Sequence, residues 1–210
     1  TSKTKMIFIA NPNNPTGTLI PKNELKAFLS KVSQHIIVVL DEAYDEYLDN
    51  DDKSVSFSWL QEFPNLIISR TFSKAYGLAG LRIGFGVSNP EIIQFMNRVR
   101  QPFNVNSLAQ DAAVAALMDD AFVSESKILN NNGKNQLESA FQKLHLEFIP
   151  SFGNFISFKV DNAPQVYEAL LRAGIIVRPI ANYEMPNYLR VSIGLKEEND
   201  RFIQALETII

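Results

Sequence analysis

Apolar runs alternate with segments of helical spacing over the first half of the chain. Three continuous apolar runs predict buried β-strands, and each runs into polar residues at its C-terminal end: Met6–Ala10, Ile36–Leu40 and Leu66–Ser69. Residues 21–33 place their apolar side chains at the spacing of an amphipathic helix. Strands alternating with helices in this way predict an α/β fold with a mainly parallel sheet.

The pattern changes towards the C-terminus. A long amphipathic stretch covers residues 122–144, and the run Asn130-Asn-Asn-Gly133 inside it is either a turn or a weak helical segment. The other predicted elements are strands at 82–87, 154–160, 175–177 and 188–193, and helices at 90–99, 108–118, 164–173 and 197–210. We therefore assign residues 1–120 to part of a large α/β domain, and residues 121–210 to a linking helix and a small α+β domain.

The first apolar run begins only five residues into the chain. Strands of parallel sheets usually have neighbours on both sides, so we expect a further segment upstream of it. The alternative is an edge strand at a true N-terminus.

Composition narrows the classes of function. The 210 residues are 46% hydrophobic, which is enough to bury a core. The 20 Lys and Arg residues are outnumbered by 23 Asp and Glu residues, so the chain has no strong positive charge that would attract nucleic acid or an anionic membrane. Cysteine is absent, which excludes disulfides and thiolate chemistry. His35 and His145 lie outside every motif and no metal-ligand spacing occurs, so we expect no metal. We expect a cytoplasmic protein that acts on a small molecule.

A candidate reactive lysine follows the third strand. Lys74 lies among hydroxyl groups and glycines in the segment 69–84, and partial burial would free its amine to attack an aldehyde. Thr71 and Ser73 offer hydroxyls and Arg82 a guanidinium, a set that suits a phosphate dianion. The plainer interpretation is a turn that carries an ordinary surface lysine.

Polar residues also follow the other two strands. Asp41 comes directly after the second strand, Tyr44 three residues later, and Asn14 lies in the loop after the first strand. Pyridoxal phosphate needs an anion beside its ring nitrogen and donors to its phenolate oxygen, which these groups could supply. The alternatives are a helix N-cap for Asp41, a core aromatic for Tyr44 and a simple turn around Asn14. Since parallel strands share one carboxyl edge, we expect Asn14, Asp41 and residues 71–74 to converge.

Taken in order, three motifs resemble those of fold-type I aminotransferases: Asn11-Pro-Asn-Asn-Pro-Thr-Gly17, Asp41-Glu-Ala-Tyr44 and the Ser-Lys-x-x-Gly-Leu-x-Gly-x-Arg-x-Gly run that ends at Gly84. Further segments look like histidinol-phosphate aminotransferases, namely 100–106, 150–155, 177–179 and 189–194. The resemblance runs from about residue 5 to the C-terminus. It implies the C-terminal part of a PLP-binding large domain, followed by a small α+β domain.

The resemblance implies pyridoxal 5′-phosphate as the cofactor. Lys74 would hold it as a Schiff base, Asp41 would pair with the pyridine nitrogen, and Asn14 and Tyr44 would bind the phenolate oxygen. Lys74, Asp41 and Tyr44 are then the catalytic residues. The matching phosphate ligands are Thr71, Ser73 and Arg82.

Two arginines of the small domain bear on the substrate. Arg190 resembles the family arginine that receives a substrate carboxylate, and Arg178 resembles one used with the phosphate of histidinol phosphate. The resemblance also implies that Asn14 contacts the substrate. The implied reaction moves an amino group between L-histidinol phosphate, or its keto partner imidazole-acetol phosphate, and 2-oxoglutarate or glutamate. It belongs to histidine biosynthesis, and the implied full-length enzyme is a homodimer. The alternative is a pair of surface arginines in salt bridges.

The chain departs from the family pattern in two respects. It lacks the N-terminal arm, the Gly/Ala phosphate loop and the aromatic that stacks on the cofactor, and Phe103 stands where many relatives carry a tyrosine. Three rival functions stay open: an aromatic amino-acid aminotransferase, a phosphate-recognising PLP decarboxylase, and a fragment without turnover.

Overall fold

A computed structural model describes residues 1–210. The helices and strands, in chain order, are β1 Met6–Ala10, α1 Lys22–Leu29, β2 Ile37–Asp41, β3 Leu66–Thr71, β4 Gly84–Ser88, α2 Pro90–Val99, α3 Ser107–Leu117, α4 Asp120–Lys143, β5 Phe148–Ile149, β6 Phe155–Lys159, α5 Ala163–Arg172, β7 Arg178–Pro179, β8 Tyr188–Ser192 and α6 Lys196–Ile209. Four short 3-10 helices lie between them. None of the helices combines the length and the apolar character needed to cross a membrane.

Contacts between Cα atoms divide the chain into two compact units. The N-terminal unit comprises residues 1–12 and 19–124, and the C-terminal unit comprises residues 13–18 and 125–210. The change from one unit to the other falls inside α4. The assignment of residues 1–120 and 121–210 to a large and a small domain stays a prediction.

The sheet of the N-terminal unit has the order β1-β2-β3-β4. β1 and β2 are parallel, as are β2 and β3, whereas β4 runs antiparallel to β3. Helical or long connections join the parallel strands, but the connection from β3 to β4 contains no crossover helix, so the chain returns beside β3 in the opposite direction. The predicted α/β fold with a mainly parallel sheet is confirmed.

One face of this sheet carries the core of the N-terminal unit. Successive side chains of β2 and β3 point to opposite faces of the sheet, and those on one face pack against α1 and the segment before β3. The buried residues of this core are Leu25, Leu29, Val38, Leu40, Trp59, Phe63, Leu66 and Ile68. β1 is the edge strand, and on it Phe8 is 73% exposed. The first apolar run is therefore a strand as predicted, but it is covered on one face and not on both.

The C-terminal unit is built on an antiparallel sheet with the order β5-β6-β8-β7. Its core joins α4, α5 and α6 to this sheet around three phenylalanines, with Phe141 stacked on Phe158 at 4.7 Å and Phe202 edge-on to both. This arrangement is the small α+β fold that the pattern predicted.

Helix α4 continues through the Asn130–Gly133 run, which is thus a helical segment and not a turn. Tertiary contacts account for two of its four weak helix formers. The Asn130 amide donates a hydrogen bond to the Gly153 carbonyl at 3.2 Å, and a Cβ at Gly133 would lie 2.6 Å from Ile193 and 2.9 Å from the Gly194 carbonyl. Packing here outweighs the low helix propensity of both residues.

The strand predicted at residues 175–177 is wrong. The backbone N–H of Ile175 donates to Leu170 and closes the end of α5 around Gly174, which has a positive φ of 78°. The apolar residues here therefore serve the end of a helix, and the ladder to β8 begins only at Arg178. The two-residue strand β5 was not predicted, because it is too short to show a period of two.

Candidate active site

The end of β2 presents a carboxylate at the carboxyl edge of the sheet. Asp41 lies between Ala10 of β1 and Ser69 of β3, and its carbonyl accepts the backbone N–H of Asn11 at 2.9 Å. Its exposed side chain accepts the N–H of Ala43 at 3.2 Å, which closes a turn and caps no helix. Asp41 is therefore fixed in the place where open α/β sheets bind ligands.

The candidate lysine lies beside the predicted phenol. Lys74 is half-buried in the turn after β3, and its Nζ is 5.4 Å from the centroid of the Tyr44 ring. Tyr44 is itself only 4% exposed. The Lys74 carbonyl accepts the N–H of Gly77, whose positive φ of 71° lets the chain turn back tightly. Lys74 is thus a half-buried lysine beside a buried aromatic ring, and the roles of both residues stay predictions.

Hydroxyl groups and a guanidinium gather on the same turn. The backbone N–H of Ser73 donates to Oγ1 of Thr71 at 3.1 Å, and Nη1 of Arg82 donates to Oγ of Ser73 at 3.4 Å and to the Ala79 carbonyl at 2.8 Å. Arg82 has a positive φ of 54°, at the end of a 3-10 helix. The set offers one permanent positive charge and two hydroxyls to an anion.

The close pairing of β3 with β4 explains why Arg82 returns to this turn. Thr71 is opposite Gly84, and the N–H of Phe72 donates to the Ile83 carbonyl at 3.2 Å. A Cβ at Gly84 would lie only 2.6 Å from the carbonyl oxygen of Arg70, so the approach requires glycine. The glycine therefore brings the start of β4 against the end of β3.

Beneath this edge lies a buried ion cluster that the sequence analysis missed. Arg70 binds Glu42 at 2.6 Å, Asp45 at 2.9 Å and Glu46 at 3.1 Å. Glu42 is only 1% exposed and also accepts hydrogen bonds from Ser54 at 2.5 Å and from a second serine. The residues adjoin predicted site residues, since Glu42 follows Asp41 and Arg70 precedes Thr71, but no local spacing in the sequence connects them.

Burial dominates the electrostatics of this cluster. It raises the pKa of Glu42 and of Glu46 above 4.5, and the charge of Arg70 offsets part of that rise. Burial also lowers the pKa of Arg70, but Glu42, Asp45 and Glu46 outweigh this effect and raise it. Arg70 therefore stays charged, and it ties the segment after β2 to the end of β3, the two segments that carry Asp41, Tyr44 and Lys74.

The C-terminal unit holds the remaining predicted residues. Nη1 of Arg190 donates to Oδ1 of Asn14 at 2.5 Å, and the Arg190 guanidinium lies 4.8 Å from the centroid of the Phe155 ring. Arg178 is opposite Arg190 in the β7–β8 ladder, so both side chains are on the same face of that sheet. The contact between Asn14 and Arg190 joins two residues that were predicted from motifs 176 positions apart.

The predicted set is thus divided between the two units. The N-terminal unit contains Asp41, the neighbouring pair Tyr44 and Lys74, and the turn with Thr71, Ser73 and Arg82. The C-terminal unit holds Asn14, Arg178 and Arg190. The roles assigned to these residues, and the convergence of Asn14 with Asp41 and residues 71–74, stay predictions.

Comparison with known proteins identifies relatives along the whole chain. The family model for aminotransferase class I and II matches residues 1–206. Histidinol-phosphate aminotransferase of Methylobacillus flagellatus is 62% identical over 210 residues, which are 100% of this chain and 57% of that protein. Histidinol-phosphate aminotransferase 1 of Cupriavidus pinatubonensis is 58% identical over 99% of this chain and 56% of its own length. The chain therefore spans a little over half of these curated relatives.

Solved structures show the same fold. The crystal structure of histidinol-phosphate aminotransferase from Sinorhizobium meliloti in complex with pyridoxal-5′-phosphate has a TM-score of 0.91 and 31% identity, and the match covers 97% of this chain and 56% of that one. L-threonine-O-3-phosphate decarboxylase from Porphyromonas gingivalis has a TM-score of 0.86 and 26% identity over 99% of this chain and 65% of that one.

Proposed function

This chain belongs to the aminotransferase class I and II family, and on that premise we propose that the complete protein is a pyridoxal-phosphate-dependent histidinol-phosphate aminotransferase. One observation carries the proposal: half-buried Lys74 lies beside Tyr44, on a turn that also holds a guanidinium and two hydroxyl groups. An aldehyde that carries a phosphate needs a lysine amine for its covalent attachment and, close to that amine, donors that bind the phosphate.

The donor set fits pyridoxal phosphate group by group. The phosphate dianion would be held by Thr71, Ser73 and Arg82. The exposed Asp41 carboxylate would face the pyridine nitrogen, and Tyr44 and Asn14 would donate to the phenolate oxygen. When bound, the cofactor supplies an aldehyde for amine exchange and a ring that draws electrons from the substrate.

The residues of the chain then have separate tasks. Lys74 would hold the cofactor covalently, and its amine, when free, would move a proton at the substrate Cα. Asp41 would keep the ring nitrogen protonated, because a nearby carboxylate favours the charged form of a base. The Arg70 cluster fixes the backbone on either side of these groups, so they keep their positions during turnover.

Substrate choice is assigned to the two arginines of the C-terminal unit. Arg178 and Arg190 lie side by side on one sheet face, where two guanidiniums suit the phosphate of histidinol phosphate. The same arginines can receive the carboxylates of glutamate or 2-oxoglutarate, the proposed amino donor and its product. Identity of 62% to a histidinol-phosphate aminotransferase supports this substrate over an aromatic amino acid, and the 26% identity to the threonine-phosphate decarboxylase is much lower.

We also propose that the complete protein forms a homodimer. Large apolar side chains stand exposed on α2, on α3 and on the loop between them, including Val99, Phe103, Leu108 and Met118. Such a concentration of apolar surface is typical of a protein interface, and either the rest of the complete chain or a second copy would cover it. A mass measurement in solution tests this point directly.

The experiment that tests the cofactor assignment is an absorbance scan of the complete protein with added pyridoxal phosphate. We expect a new visible band that dialysis does not remove, and we expect Lys74→Ala to abolish it while the circular dichroism spectrum stays unchanged. Lys31→Ala is the matched control, because Lys31 is an exposed lysine at the end of α1. A band of equal strength in Lys74→Ala would contradict the assignment.

A second measurement separates the proposed substrates. The specificity constant with L-histidinol phosphate should exceed that with aromatic amino acids, and no carbon dioxide should be released. Preference for an aromatic amino acid, or decarboxylation, would replace the proposed reaction with one of its rivals.

A further inference from the structure

The loop that carries Asn14 is held by a buried serine that no motif identifies. Oγ of Ser157, in the middle of β6, donates a hydrogen bond to the Pro15 carbonyl at 2.6 Å, across 142 residues of sequence. Ser157 is 0% exposed. A buried hydroxyl without a partner destabilises a fold, so this position is compatible with serine only because the loop supplies an acceptor.

The position of Ser157 on the sheet places it next to Arg190. The two residues are directly opposite each other in the β6–β8 ladder. Arg190 binds the side-chain oxygen of Asn14, and Ser157 binds the carbonyl of the next residue, Pro15. Neighbouring strand positions therefore hold consecutive residues of the loop, one through its side chain and the other through its backbone.

Further contacts leave the loop little room to shift. The carbonyl of Gly17 accepts the backbone N–H of Phe152 at 2.8 Å, and a Cβ at Gly17 would overlap the side chain of Ser151. Within the loop, the Asn13 amide donates to Thr16 at 2.7 Å. The loop is thus packed against the C-terminal unit at both ends, and Ser157 is its hydrogen-bond anchor at Pro15.

These contacts also orient the Asn14 amide. A guanidinium can only donate hydrogen bonds, so Arg190 binds the oxygen end of the Asn14 amide, and the NH₂ end of that amide is its donor end. That orientation is maintained only while the backbone at residues 14 and 15 stays in place. A displacement of Pro15 would move the amide relative to Arg190 and to any acceptor on the NH₂ side.

We propose that Ser157 is a positioning residue: by holding the Pro15 carbonyl, it sets the Asn14 amide as a hydrogen-bond donor to the ring oxygen of the cofactor. The inference rests on the proposed function, since it needs bound pyridoxal phosphate. A donor to that oxygen stabilises its anionic form and keeps the pKa of the bound chromophore low. Loss of the anchor should therefore raise that pKa, although Ser157 does not touch the cofactor.

The test is a pH titration of the visible absorbance of the complete, cofactor-loaded protein. We expect Ser157→Ala to raise the pKa of the chromophore in the same direction as Asn14→Ala, but by less. Asn14→Ala with Ser157→Ala should titrate like Asn14→Ala alone, because both act through one amide. Ser157→Ala should also lower kcat/KM about tenfold, the size expected for one lost hydrogen bond.

Two further variants separate the hydrogen bond from simple packing. Ser157→Cys keeps the volume but offers only a weak donor, so it should titrate like Ser157→Ala. Ser139→Ala is the matched control, because Ser139 also donates to a backbone carbonyl, at 2.7 Å, but on the exposed face of α4. It should titrate like the unchanged protein.

The outcomes distinguish this inference from the proposed function. If the unchanged protein forms no cofactor band, the proposed function fails. If Asn14→Ala shifts the titration but Ser157→Ala does not, or if Ser157→Cys behaves like the unchanged protein, the positioning role of Ser157 is overturned and the function stands. If Ser157→Ala does not fold, the cysteine variant decides by the same criterion.

Discussion

Replacement of Arg70 by methionine should destabilise the protein strongly, because Arg70 is the shared counterion of three buried carboxylates. Its side chain is 13% exposed, and those of Glu42, Asp45 and Glu46 are between 1% and 9% exposed. Removing one partner of a buried ion pair costs about 3–5 kcal/mol, because it leaves an uncompensated charge. That loss is a large part of the roughly 5–15 kcal/mol by which native proteins are stable.

The loss should depend on pH in a direction that the cluster determines. Burial already raises the pKa of Glu42 and Glu46, and Arg70 is the main group that lowers them. Without Arg70 both pKa values rise further, so the folded state binds protons that the unfolded state releases. Stability of the variant then falls as pH rises through these raised pKa values, and is recovered as pH falls towards 4.5, the ordinary value.

Urea unfolding of the complete protein at about pH 7.5 and about pH 5.5 measures both effects. Lys26→Met is the matched control, because Lys26 forms an ion pair of 2.8 Å with Glu62 in which both side chains are about half exposed. Such a surface pair contributes about 0–1 kcal/mol. The reasoning is refuted if Arg70→Met costs no more than Lys26→Met, or if its cost is the same at the two pH values.

Two other substitutions have expected outcomes. Gly84→Ala should lower the urea midpoint markedly, because the new Cβ would lie 2.6 Å from a backbone oxygen of β3. Gly80→Ala is the control and should leave the midpoint unchanged, because a Cβ there meets nothing within 4 Å. Similar midpoints for the two variants would contradict the argument that residue 84 must be glycine. Arg178→Ala should remove about 1.5–3 kcal/mol of transition-state binding for histidinol phosphate, or roughly one to two decades in kcat/KM. Substrates that carry a carboxylate and no phosphate should depend mainly on Arg190 and lose much less, so equal losses in steady-state kinetics would count against phosphate recognition.

The sequence predicts most of the fold because its signals are local. β2 and β3 are continuous apolar runs that end in polar residues, and that pattern needs no knowledge of what packs against them. The same holds for Asp41, which ends β2, and for Lys74, which lies in the turn after β3. Their place at one sheet edge follows from the parallel pairing of the strands.

Local sequence patterns do not predict contacts between residues that are distant in sequence. Nothing near Ser157 shows that its hydroxyl meets Pro15, and its only signal is a polar residue inside the apolar run Phe155-Ile-Ser-Phe158. The Arg70 cluster likewise joins charges that are 24 to 28 residues apart along the chain. In the Asn130–Gly133 run, packing against Gly153 and Ile193 outweighed local propensity.

The membership of residues 13–18 in the C-terminal unit bears on how this protein can be cut or recombined. A truncated protein that starts near residue 125 would contain most of α4, the whole second sheet and its aromatic core, yet it would leave the Ser157 hydroxyl and the Phe152 N–H without their acceptors on the missing loop. Residues 13–18 should therefore be supplied together with residues 125–210, through a short linker or as a free peptide, so that both hydrogen bonds can form.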